Sequence, residues 1–343
     1  MVRAVVQFLL LMGNKVAQAR AVLSRFRVRL SFLVLALAAA SLLTACTPMR
    51  EPVNIAGNQW LGYHPLYLAH TQNCVQCPFS NEYYGERPIK VNMLADTTLV
   101  SRLFANGQLD GALVTLDEAI RLQSNNQMDL CVARILSFSQ GADAVLLAPH
   151  AELSQRPLRV GYEETALGAF LLQRAIQFLG LNENDLQPEL VLPSQHLQSV
   201  LSGDVDMLIT YEPFITQLKS QGATVLFDSS QIPHEILDLF VVRRDVWQEH
   251  AKMLDWVASE LWEKGRVKLS APSSADATFM QETLALNSEE LSNALSGLHF
   301  PDYQENREIQ ATELDAILAR LNGHLLSSGL ISTPAHLPSC YEL

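Results

Sequence analysis

The residues able to do chemistry in this 343-residue chain collect where apolar runs give way to helix-starting segments. Trp60 and Tyr63 follow the run 53–57, and Thr115 and Asp117 follow 110–114. Tyr162 ends the run 158–162, Glu163 and Thr165 follow it, and Glu212 follows 207–210. Asp238 lies inside the run 237–243. If these runs are strands, most of these side chains stand at carboxyl edges of sheets, where α/β proteins bind small molecules. Aromatic rings there stack on planar ligands or enclose cations. A structural role competes at several positions: Trp60 as core filler, Asp117 as a helix N-cap, Glu212 as a first-turn acid. Asp238 sits in an apolar strand, where an acid needs a reason, and is expected to face a cleft.

Glu163-Glu164-Thr165 weighs most on ligand charge. The start of the helix after it is a ready anion site. Two carboxylates precede that helix and would compete with an anion for its amides, and no arginine lies nearby in sequence. These carboxylates favour a neutral or amine-bearing ligand over a small anion. Glu163 or Asp238 would hydrogen-bond its amino group.

Catalytic signatures are missing. The chain has no G-x-S-x-G, no P-loop and no G-x-G-x-x-G, and His234-Glu235-Ile236-Leu237-Asp238 stops one ligand short of H-E-x-x-H. No catalytic residue, metal site or cofactor is expected, and the protein is read as a binder rather than an enzyme.

The elements that would position these residues alternate. Strands are expected at 53–57, 89–94, 110–114, 131–138, 144–148, 158–162, 190–192, 207–210, 224–227 and 237–243. Helices are expected at 65–71, 98–106, 117–123 and 166–179, then at 245–264, 275–285, 288–296 and 308–322. Such alternation predicts mainly parallel sheets flanked by helices. The pattern runs strand–helix, strand–helix again, then back to a strand and helices. It predicts a discontinuous first lobe, 46–140 plus 240–343, and a second lobe, 141–239, with a ligand cleft between them.

Charge is placed unevenly. Residues 1–45 hold six basic side chains and no acid, and the remainder holds 18 basic against 36 acidic groups, a formal charge of −18. A surface that acidic repels phosphate backbones and excludes nucleic acid as a partner. The basic stretch leads into the apolar run 30–43, too short to cross about 30 Å of hydrocarbon. Residues 1–45 therefore read as an export signal. The junction Leu43-Thr44-Ala45-Cys46 resembles a bacterial lipobox, which implies lipidation at Cys46 and an anchor to the cell envelope. Four further cysteines, Cys74, Cys77, Cys131 and Cys340, suggest disulfides in an exported protein, with three pairings open.

Several motifs in order carry a resemblance. They are Asn58-Gln59-Trp60-Leu61-Gly62-Tyr63-His64-Pro65, Gly107-Gln108-Leu109-Asp110-Gly111-Ala112, Ser139-Gln140-Gly141-Ala142-Asp143-Ala144, Val160-Gly161-Tyr162-Glu163, Ser202-Gly203-Asp204-Val205-Asp206 and Thr210-Tyr211-Glu212-Pro213. Together the series resembles the nitrate/sulfonate/taurine type of ABC-importer substrate-binding protein over nearly all of the mature chain. The resemblance implies an α/β, two-lobed periplasmic-binding-protein-like (type II) fold, each lobe a mixed sheet flanked by helices. It also implies a small-molecule ligand of the amine, sulfonate or aminopyrimidine class, with nitrate and simple sulfonates disfavoured by Glu163 and Glu164, ABC permease and ATPase partners, and a place outside the cytoplasm. Two other uses of such a fold are a binding protein for a membrane signalling receptor and an enzyme of thiamine-precursor or menaquinone synthesis. Ser137 departs from the family, where many members carry an acid. So does His234, where a glycine commonly follows the proline, and the Cys74–Cys77 segment has no counterpart in the pattern.

Overall fold

A computed structural model describes residues 52–73 and 89–342. The export signal 1–45, Cys46, Cys74 and Cys77 lie outside the described residues. Strands β1 (Val53–Gly57), β2 (Ile89–Met93), β3 (Gly111–Thr115) and β4 (Leu130–Ser139) come first, with helices α1 (His64–Asn73), α2 (Thr97–Ala105) and α3 (Leu116–Asn126). Strands β5 (Asp143–Leu147), β6 (Leu158–Tyr162), β7 (Leu186–Leu190), β8 (Met207–Tyr211) and β9 (Thr224–Asp228) follow, with α4 (Ala166–Leu179), α5 (His196–Leu201) and α6 (Phe214–Ser220). The chain then forms β10 (Leu237–Arg243) and α7 (Arg244–Trp256), which passes through a π-helical turn, Val257–Leu261, into α8 (Trp262–Ser270). It ends in α9 (Ser274–Leu284), α10 (Ser288–Leu295), the short β11 (Leu298–His299), α11 (Tyr303–Thr312) and α12 (Leu314–Ser327).

Two sheets result, ordered β11-β4-β10-β3-β1-β2 and β7-β6-β8-β5-β9. Both are mixed rather than mainly parallel: β10 runs antiparallel to β3 and β4, and β5 runs antiparallel to β8 and β9. Every residue of β4 is buried, as the continuous run of apolar side chains around it requires. The expected strand at 190–192 lies instead at Leu186–Leu190, an edge strand that is mostly exposed and carries Pro188, so it has no apolar alternation to read. The single helix expected at 308–322 is two, which meet at Glu313 with φ −119° and ψ −30°. Among the described residues no helix is long and apolar enough to cross a membrane.

Cys131 in β4 is bonded to Cys340, which settles one of the three open pairings for these two residues. Where the chain passes from the first sheet to the second, the Ser229 hydroxyl lies 2.7 Å from the Ser139 hydroxyl and accepts a hydrogen bond from the Gly141 amide. Gly141 there has φ +116°, a conformation open to glycine. On the return, His234 has φ +61°, a left-handed turn built without the glycine that relatives commonly carry.

Candidate functional site

The turn after β1 builds the first wall of the site. Leu61–Tyr63 form one tight turn before α1, and this sets Trp60 and Tyr63 side by side over the sheet. Gly62 is required for the approach: a Cβ there would lie 2.3 Å from Trp60 Nε1 and 2.5 Å from the Ser137 hydroxyl. Both aromatic side chains are fixed by Asp238 on β10. Trp60 Nε1 donates to Asp238 Oδ2 at 2.9 Å, Ser137 Oγ donates to the same oxygen at 2.6 Å, and Tyr63 OH donates to Oδ1 at 3.2 Å. Asp238 is 1% exposed, and burial pushes its carboxyl up to about 6 against the pull of those three donors. Ser137 therefore supplies a donor where an acid would face Asp238 directly.

The second wall comes from β6, α4 and β8. Thr165 is the N-cap of α4 and its Oγ1 accepts from the Gly168 amide at 2.9 Å. Close packing holds that helix start, since a Cβ on Gly168 would lie 2.4 Å from the Glu163 carbonyl oxygen. Tyr211 ends β8 and meets Trp60 edge-on, with ring centroids 5.6 Å apart. Glu163 lies between Tyr211 and His196, whose Nε2 is 3.9 Å from Glu163 Oε1. Burial lowers His196 to about 4, so that ring is neutral and does not balance the carboxylate. The Tyr211 hydroxyl interacts with Glu163 by hydrogen bonding, which pulls the carboxyl down against the larger rise from burial.

Between these walls lies a narrow, partly open cavity, with about 40 Å³ available to the centre of a water-sized molecule. Of the residues expected at the site, Trp60, Tyr63, Thr115, Glu163, Thr165 and Asp238 line it. Asp117, Tyr162 and Glu212 do not. Asp117 is buried in the first turn of α3 behind the lining, Tyr162 packs against the apolar core, and Glu212 turns back to accept from the amide and hydroxyl of Thr216. Sequence reasoning passed over Asn58, Thr97, Glu118, Asp143, Thr210 and Tyr211, all of which line the cavity. Tyr211 and Asp143 stood inside quoted motifs, whereas Glu118 carries no signal beyond that of an ordinary first-turn acid.

The lining holds four acids, Glu118, Asp143, Glu163 and Asp238, and among its residues is no lysine, arginine or histidine. Burial, the largest cause in each case, pushes Glu163 up to about 8 and Glu118 to about 7, and Asp143 is raised as well. Asp117 behind them is pushed to about 6. Near neutral pH Glu163, and Glu118 in part, therefore hold protons until something cationic replaces them, while Asp238 is mostly ionised. The arrangement can therefore enclose a cation between aromatic faces and exchange a proton for it. Among the described residues no group of three His, Cys, Asp or Glu side chains is arranged to hold a metal ion.

A sequence profile of the NMT1-like family matches residues 47–275, more than half of the chain. No curated protein sequence matches. Solved structures share the fold at low identity. The alkanesulfonate-binding protein SsuA of Xanthomonas axonopodis pv. citri, bound to MOPS, is 14% identical with a TM-score of 0.67, covering 84% of this chain and 96% of its own. The ligand-binding component of an ABC-type import system of Staphylococcus aureus, with zinc bound, is 11% identical with a TM-score of 0.66, covering 85% and 98%. The desulfurization enzyme DSZB is 11% identical with a TM-score of 0.58, covering 84% and 97%, so the fold carries both binders and an enzyme. The two mixed sheets with a cavity between them, the ordered motifs and the profile match agree: the chain belongs to the NMT1-like family, on the fold of the nitrate/sulfonate/taurine type of substrate-binding protein.

Proposed function

We propose that the protein is an extracytoplasmic solute-binding protein, lipid-anchored at Cys46, that captures a small amine-bearing molecule between two lobes and delivers it to the permease and ATPase of an ABC importer. Lobe one would comprise 46–140 and 240–343, and lobe two 141–239. One observation carries the ligand reading: Glu163, Asp143, Glu118 and Asp238 share a cavity with Trp60, Tyr63 and Tyr211, and no basic side chain lines it. An alkylsulfonate brought into that lining meets acids and finds no cation to offset them. An ammonium group meets the Glu163 carboxyl, with aromatic rings beside it. Contacts from both walls would hold the lobes closed on the ligand.

Calorimetry of the purified protein with primary amines, aminopyrimidines and alkylsulfonates, repeated in buffers of different ionisation enthalpy, tests this. The expected result is binding of an amine accompanied by proton release near neutral pH, because Glu163 gives up its proton to the ligand's charge. Sulfonate binding stronger than any amine binding would refute the ligand class.

A further inference from the structure

Glu118 belongs to α3, which packs on β3 and β10 of the first sheet, yet its carboxylate ends at the other side of the cavity. Its Oε1 accepts a hydrogen bond from the amide of Ala166, the first residue of α4, which packs on the second sheet. The side chain is 4% exposed. Its neighbours on α3 are Asp117 and Arg121, and Glu163 faces it from the β6 side. Glu118 also lines a second, outer groove with Thr98, Ser101, Arg102 and Arg121, so it stands as a partition between that groove and the inner cavity.

The amino terminus of a helix offers unpaired amides and a partial positive charge, which is what a bound anion would use. Here the amide at the start of α4 is already taken by a carboxylate from the opposite side of the cleft, and the Gly168 amide is taken by Thr165. We propose that Glu118 is a specificity-determining residue that acts as an internal substitute for an anionic ligand. Its carboxylate fills the anion position at the start of α4, bars external anions from the cavity by charge and by occupancy, and ties the two sides of the cleft together. The inference rests on the cavity being the ligand site, as proposed above, and extends it by naming the residue that rejects sulfonates. Any opening of the cleft that separates α3 from α4 must break this bond.

The test is calorimetric titration of ethanesulfonate into the wild type, Glu118→Ala and Glu118→Gln, each first checked for a cooperative thermal transition. Ethanesulfonate is expected to bind Glu118→Ala at least about tenfold more tightly than the wild type as amide and space are released. Glu118→Gln removes the charge but leaves a carbonyl oxygen in place, and a gain of only a few-fold is expected. Small-angle scattering of the ligand-free protein should show Glu118→Ala more expanded than the wild type. A folded Glu118→Ala that gains no ethanesulfonate affinity overturns the proposal, as does wild-type binding equal to that of the variant. If Glu118→Ala does not fold, Glu118→Gln decides alone, and no gain there overturns it. Titrating a primary amine in parallel separates the two readings: sulfonate gained without any amine binding keeps the role of Glu118 and removes the amine ligand.

Discussion

Replacing Glu163 by glutamine should make the ligand-free protein more stable while weakening its hold on an amine. Glu163 is 9% exposed, and burial pushes its carboxyl from an ordinary 4.5 to about 8. Between those values the folded chain holds a proton that the unfolded chain has lost, so this residue's contribution to stability falls as pH rises through that window. At 1.36 kcal/mol per pH unit, the loss is about 3 kcal/mol by pH 7. Glutamine matches the protonated acid in shape and never ionises, so the loss disappears in Glu163→Gln. Urea unfolding at about pH 5 and about pH 8 reads the effect. The two proteins should be nearly equally stable at the lower pH, and the variant should lead by roughly 2–4 kcal/mol at the higher one. Glu118, Asp117 and Asp238 keep a pH dependence in both proteins, so the difference between them is the relevant quantity. An amine ligand should bind the variant about 1–3 kcal/mol more weakly, the loss of a charge-assisted hydrogen bond. Parallel stability curves across this pH range would show that Glu163 is not a buried acid awaiting a cation.

Removing Asp238 should act on the scaffold of the site. Asp238→Ala strands Trp60 Nε1, Tyr63 OH and the Ser137 hydroxyl, and is expected to cost about 3 kcal/mol or more in urea unfolding, with Asp238→Asn costing less because its carbonyl still accepts. Equal stability of wild type and alanine variant would contradict that network. The Cys131–Cys340 bond spans 209 residues, and replacing both by alanine should lower stability by up to about 5 kcal/mol on loop-closure grounds. A change below about 1 kcal/mol would show that closing this loop contributes little to stability. Intact-mass analysis of membrane-extracted protein should give a chain beginning at a lipid-modified Cys46, and an unmodified N-terminus at Met1 would rule out the anchor.

Elements with strong periodicity were legible in the sequence. The amphipathic run closed by Gly180 is α4, and the apolar run with Asp238 is β10. Direction was not legible: an apolar run looks the same parallel or antiparallel, and the antiparallel placement of β10 and β5 depends on partners far away in the chain. At the site the difficulty was one of parity. Thr210-Tyr211-Glu212-Pro213 points to Glu212, but the end of β8 aims Tyr211 at the cavity and the following turn takes Glu212 to Thr216. Glu118 could not be found from sequence, because its meaning comes from an amide 48 residues away.

The position of β10 has a consequence for how the molecule comes into being. It is the strand between β4 and β3, and through it the chain returns from the β5–β9 sheet to the first sheet. Until residues 237–243 are available, the edges of β3 and β4 that face each other across this slot have no partner in the sheet. A chain emerging N-terminus first therefore carries two exposed, apolar strand edges for as long as everything between Ser139 and Leu237 takes to appear. Such long-range closure slows folding and leaves the half-made chain open to wrong pairing.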